Sequence, residues 1–172
     1  MIAPIFVDTN VFVYAHQANE RTRQPLAVKW IEQLWREQRG RTSVQVLSEC
    51  YVTLTRKIKP ALRPTDAWEA IRALFTWHPH PTTPELMRRA HEIELRYRLS
   101  WWDSLIVGAA QLQNCALLLT EDLHDGAAYG GVTVRNPFTL DVSEALAAYS
   151  VAPTAISGHP RRGRPRGSGA VK

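Results

Sequence analysis

Cysteine is scarce in this 172-residue chain: there are two, Cys50 and Cys115, and both sit within apolar stretches. That usage excludes a disulfide scaffold and points to a reducing compartment, with each thiol packed as a small hydrophobe. No run of about 18 uncharged apolar residues occurs, so no membrane span is expected. The start lacks the basic segment of a secretory signal, and Asp8 interrupts its apolar run. The expected compartment is the cytoplasm. There is also no paired Cys/His spacing, no Gly-x-Ser-x-Gly elbow and no Gly-rich phosphate loop. These absences argue against zinc, serine-hydrolase and NTPase chemistry.

Acidic residues are absent after Ser157, where Arg161, Arg162, Arg164, Arg166 and Lys172 account for the entire formal charge of +5. The first 157 residues carry 16 basic and 16 acidic groups and are neutral. The pI of 9.6 therefore describes a tail on a neutral domain. Residues 1–148 are expected to form one domain, large enough to bury its own core. Residues 149–172 are expected to be a basic, disordered tail, because little in them can pack. Within it, Arg162-Gly163-Arg164-Pro165 looks like the core of an AT-hook, which lies in AT-rich minor grooves. A solvated basic tail is the alternative.

The pattern along the domain alternates strands with helices, which predicts a parallel α/β sheet. Pro4 to Val7, Ala116 to Leu119 and Val132 to Arg135 read as strands, with Arg41 to Val44 a weaker one. Thr9 is expected to cap a helix to His16. Thr22 is expected to cap a second, which Gly40 closes. Thr42 followed by Gln45 reads as a capping box for a helix over 46–57. Thr83-Pro84 and Ser100 open two further helices, reaching Tyr97 and Leu112.

Four acids belong together: Asp8, Glu49, Asp103 and Asp122. Asp8 and Asp122 follow short apolar strands, and ligands of open parallel sheets gather at the carboxyl ends of strands. Glu49 and Asp103 lie in early turns of helices. Four such groups at one place repel one another unless a cation joins them, and all-oxygen ligands select Mg²⁺ or Mn²⁺. Singly, each has an ordinary structural reading. Asp8 fits a cap, Glu49 a solvated helix acid, Asp103 the acid of a capping box with Ser100, and Asp122 a polar loop with Glu121 and Asp125.

Five segments, in order, resemble PIN-domain ribonucleases. They are Val7-Asp8-Thr9-Asn10-Val11, Leu47-Ser48-Glu49, Trp102-Asp103-Ser104-Leu105-Ile106-Val107, Leu119-Thr120-Glu121-Asp122-Leu123, and Gly131 through Asn136-Pro137-Phe138. The nearest likeness is to VapC-type toxins of bacterial type II toxin–antitoxin pairs. The resemblance implies a PIN-like three-layer α/β sandwich with a central parallel sheet of four to five strands flanked by helices. It implies a Mg²⁺- or Mn²⁺-dependent endoribonuclease with Asp8, Glu49, Asp103 and Asp122 as the catalytic acids. Asp8, Asp103 and Asp122 would be its metal ligands, with Glu121 or Asp125 able to stand in for Asp122. It places Thr9, Asn10 and Thr120 as groups that orient carboxylates or touch substrate. It further implies an RNA substrate, tRNA among the candidates, a cognate antitoxin and a homodimer.

Two other functions fit parts of the sequence. A DNA-binding regulator with an inactive PIN-like domain would use Arg162, Arg164 and Arg166. A haloacid-dehalogenase-type phosphohydrolase also opens with an Asp after a strand, but it needs Asp-x-Asp, and position 10 is Asn. Trp101 and Trp102 precede Asp103. Trp102 is expected to pack under its helix, with stacking on an unpaired base as the alternative.

Overall fold

The apolar triplet Ile5–Val7 forms strand β1 because both of its faces are covered. Successive strand residues point to opposite sides, yet Ile5, Phe6 and Val7 are all fully buried. Leu117–Leu119, strand β3, is equally buried and lies parallel beside β1, with Ile5 opposite Leu117 and Val7 opposite Leu119. On its other side β1 pairs in parallel with β2, Gly40–Arg41. Beyond β3 lies β5, Val132–Arg135, also parallel. The computed structural model describes residues 2–149, and the tail arginines Arg162, Arg164 and Arg166 lie outside the described residues.

The sheet runs β2-β1-β3-β5-β4 and is parallel except for one edge. There β4, Ala128–Tyr129, is antiparallel to β5, which departs from the all-parallel expectation. Gly130 and Gly131, at φ 56° and 93°, make the two-residue turn that joins them. Both positions need the left-handed conformation that glycine adopts freely.

The helices are α1 (Thr9–Ala15), α2 (Arg23–Arg36), α3 (Val44–Val52), α4 (Pro64–Ala73), α5 (Pro84–Tyr97), α6 (Trp101–Leu112) and α7 (Val142–Ala148). A π-helical turn, Thr53–Lys57, continues α3. Helix α1 packs on α2 and α3, α3 on α4, and α5 on α6. No helix among the described residues is long and apolar enough to cross a membrane.

Three local expectations are corrected. The cap of α1 is Asp8 rather than Thr9: its side chain accepts from the Thr9 N–H. The cap of α3 is Ser43, whose Oγ accepts from Val46 N at 3.2 Å, so Thr42 and Gln45 form no capping box. Gly40 does not end α2, which stops at Arg36 and leaves through Gln38 at φ 55°. Gly40 lies in β2 because the Trp77 ring packs against it, and any Cβ there would collide with the indole.

From β1 the chain moves outward to β2, then crosses back past β1 to β3. The carboxyl ends of β1 and β3 therefore flank a reversal in strand order, where such sheets open a crevice.

Candidate active site

Asp8 is the first residue past β1, and its N–H still donates to Leu119 O at 3.1 Å, as a continuing strand would. Only 6% of it is exposed. Its two carboxylate oxygens are held from different directions: Oδ1 accepts from Thr9 N at 2.7 Å and Oδ2 from the Thr120 hydroxyl at 2.8 Å. Thr120 follows β3 and is fully buried. Its hydroxyl also accepts from Asn10 Nδ2 at 3.0 Å and Asp122 N at 3.1 Å, which uses its one donor and two acceptor sites.

Asn10, in the first turn of α1, ties this buried hydroxyl to the exposed acid Asp122. Its Nδ2 donates to Thr120 Oγ1 and to Asp122 Oδ2, both at 3.0 Å. The reverse amide orientation would set an oxygen against the Asp122 carboxylate, so the hydrogen bonds fix the assignment. Asn10 Oδ1 is buried without a partner among the described residues. Glu49 comes in from α3: Thr9 Oγ1 donates to its Oε2 at 3.2 Å and Gln45 Nε2 to its Oε1 at 3.0 Å.

Glu49 and Asp122 line one cleft of about 390 Å³ together with Thr9 and Asn10. The buried Asp8 is tied to its wall through Thr9 N and, by way of Thr120, Asn10. Burial raises the Asp8 pKa from 3.8 to about 6. The Thr120 and Thr9 hydrogen bonds oppose that shift, while the charges of Asp122 and Glu49 add to it. The site thus holds a buried carboxylate facing two further acids.

Two neighbouring acids are engaged elsewhere. Tyr14 OH donates to Glu121 Oε1 at 2.6 Å, and Arg23 Nε donates to Oε2 at 3.2 Å. The Arg23 guanidinium also lies 5.1 Å from the Tyr14 ring centroid. Glu121 pushes the Tyr14 phenol up to about 12, so Tyr14 stays a donor at neutral pH. Asp125 accepts from Asn136 N at 2.8 Å and Arg135 Nε at 3.0 Å. The Asn136 N–H above all, and Arg135 with it, hold its pKa below the usual range. Of the three acids after β3, Asp122 is the one joined to Asp8 through Asn10 and Thr120.

The sequence model of the PIN domain matches residues 5–124. The chain belongs to the PIN-domain family. A chain of a toxin–antitoxin complex from Klebsiella pneumoniae is similar in structure at 20% identity, covering 78% of this chain and 98% of that one, with a TM-score of 0.55. VapBC2 from Rickettsia felis, bound to a DNA fragment from its promoter, is similar at 15% identity, covering 77% and 97%, with a TM-score of 0.53. VapC20 from Mycobacterium tuberculosis, a toxin that cleaves the sarcin–ricin loop, gives 23% identity, 66% and 86% coverage, and a TM-score of 0.49. At these identities the likeness concerns the fold. No curated protein matches the sequence.

The donor chemistry of this PIN domain fits a hard divalent cation. Its groups are carboxylate and amide oxygens, with Asn10 Oδ1 left over as an acceptor and Asp8 under like-charge repulsion. Among the described residues, no three His, Cys, Asp or Glu side chains already converge on one point. Few direct ligands completed by water suit Mg²⁺, which keeps several waters and takes one or two carboxylates.

The network does not reach Asp103. Its N–H donates to Ser100 Oγ at 3.1 Å, and the Ser100 hydroxyl donates back to Asp103 Oδ2 at 2.6 Å. That reciprocal cap is the ordinary structural reading of this acid. The adjacent Trp102 nevertheless lines a cleft with Thr9 and Glu49, which puts the first turn of α6 at the rim. Trp102 is not packed under its helix. Trp101, one turn before Leu105, takes that place.

Sequence reasoning missed Gln45, Tyr14 and Arg23. Gln45 stands four residues before Glu49, a spacing that itself signals a helical side-chain pair. Tyr14 and Arg23 reach Glu121 across the fold and leave no local signal.

Proposed function

We propose that this PIN domain is a divalent-metal-dependent endoribonuclease, the toxin of a toxin–antitoxin pair. One observation carries the reading: the buried carboxylate of Asp8 faces Glu49 and Asp122 at the joined carboxyl ends of β1 and β3. Membership of the PIN family supports it, as do fold neighbours described as toxin–antitoxin proteins.

Asp8, Asp122 and Glu49 would hold the cation, with Asp103 contributing if its carboxylate leaves Ser100. The chemistry supplied by a divalent cation bound there is activation of a water and neutralisation of charge building on phosphate oxygens. Thr120 and the Thr9 N–H fix the Asp8 carboxylate, so its charge needs no reorientation during reaction. Asn10 and Gln45 do the same for Asp122 and Glu49. Asn10 Oδ1, buried and without a partner among the described residues, is an acceptor left for a bound water.

A partner antitoxin is supported by a second feature. A groove of about 580 Å³ on the neighbouring face of α3, which shares Ser48 and Val52 with the Trp102 cleft, is lined by Val44, Leu47, Tyr51, Trp68 and Phe75 and holds no carboxylate. Trp68 and Phe75 are each 48% exposed, an apolar patch of the kind that marks protein contacts.

Purified protein is expected to cleave RNA in Mg²⁺ or Mn²⁺, to stop when a chelator is added and to resume when metal is restored. RNA left intact in every divalent metal would overturn the reading in favour of a binding protein.

A further inference from the structure

Trp102 stands in the first turn of α6 with 62% of its surface exposed. Its cleft, about 530 Å³, is shared with Thr9, Gln45, Glu49, Thr53 and Lys57. Thr9, Glu49 and Thr53 also line the acid cleft, so the two are continuous. Just past α3, the exposed cations Arg56, Lys57 and Lys59 form no ion pair among the described residues. They stand in a domain that is neutral as a whole, so this local excess is not bulk charge. An exposed indole and an unpaired ammonium on one cleft match the two surfaces of a nucleotide: a π-face and a phosphate.

We propose that this cleft is a nucleotide subsite, in which Trp102 stacks on one unpaired base of an RNA strand and Lys57 takes the adjoining phosphate. Arg56 and Lys59 extend the strand's path along the end of α3. The inference rests on the ribonuclease reading and names the residues of this chain that would receive one base and its phosphate beside the cut. A base inside a duplex has both faces covered by its neighbours and cannot enter.

The test uses the full chain and RNAs carrying a single abasic nucleotide at successive positions around the cut. Trp102→Ala is expected to raise KM roughly 10- to 100-fold on intact RNA. Its kcat is expected to stay within about threefold. Trp102→Phe restores most of the loss, since a phenyl ring still stacks. One abasic position is expected to weaken wild type as much as Trp102→Ala does, and to weaken that variant no further. Lys57→Gln is expected to raise KM and reduce the salt dependence by about one phosphate contact.

Trp102→Ala cleaving all these RNAs like wild type would overturn the proposal. If the same substitution then breaks a complex with a protein partner, the surface is a protein contact instead. If wild type cuts no RNA, the ribonuclease reading fails by itself, and indole emission decides the subsite. Greater quenching by a single-stranded oligonucleotide in wild type than in Trp102→Phe supports it, and equal quenching overturns it.

Discussion

Replacing Asp8 by Asn is expected to cut RNA cleavage about a thousandfold or more while the fold survives. The substitution keeps the volume and removes one negative charge at the point where a cation would be held. It also removes a burden on the metal-free protein. Asp8 is nearly buried, and its pKa rises from 3.8 to about 6 in the fold, first through burial. A raised carboxyl pKa means that the folded state binds the proton more tightly than the unfolded chain does. Its contribution to stability is full below pH 3.8 and is lost as pH rises through 6. Across that window the shift corresponds to about 3 kcal/mol at most. In chelator, wild type should therefore lose more stability between pH 4 and pH 8 than Asp8→Asn does. Denaturant unfolding at the two pH values measures the difference, and parallel pH profiles for the two proteins would refute it.

The second large effect separates three acids that stand close together after β3. Asp122→Asn is expected to lower kcat/KM about a hundredfold, because it removes a charge from the cation's surroundings. Asp125→Asn should stay within about threefold in kcat/KM and instead cost about 1 kcal/mol of stability, since the Asn136 N–H loses a charged acceptor. Glu121→Gln is expected to fall with Asp125→Asn, its carboxylate being occupied by Tyr14 and Arg23. Steady-state cleavage by the three variants, each beside a melting curve, checks the ranking. Glu121→Gln as damaging to turnover as Asp122→Asn would reassign the acid.

That ranking was not legible in the sequence, and the reason is physical. Glu121, Asp122 and Asp125 share one polar loop, and only partners distant in the chain tell them apart: Asn10, Tyr14, Arg23 and Arg135. What could be read were features dictated by burial. Ile5–Val7 and Leu117–Leu119 are apolar at every position because both faces of each strand are covered, and the acids follow directly. Caps were read less well. Thr9 against Asp8 and Thr42 against Ser43 are choices between adjacent residues of similar capping chemistry, decided by where β1 and β2 let the chain turn. Strand β4 has two residues and no periodicity to detect, so its antiparallel pairing was invisible. Asp103 shows the converse. The local signal of a cap with Ser100 was present and is realised. Its convergence with Asp8 was expected from its place in an early helix turn and from the resemblance, and among the described residues no hydrogen bond of the Asp8 network reaches it.

The most direct measurement is calorimetric titration of Mn²⁺ into the full chain near pH 6, for wild type and Asp8→Asn. Saturable binding to wild type with release of a proton, lost in the variant, is the expected result, because a metal ligand must surrender its proton to bind. Equal binding to both proteins, or none to either, would contradict a cation held at Asp8.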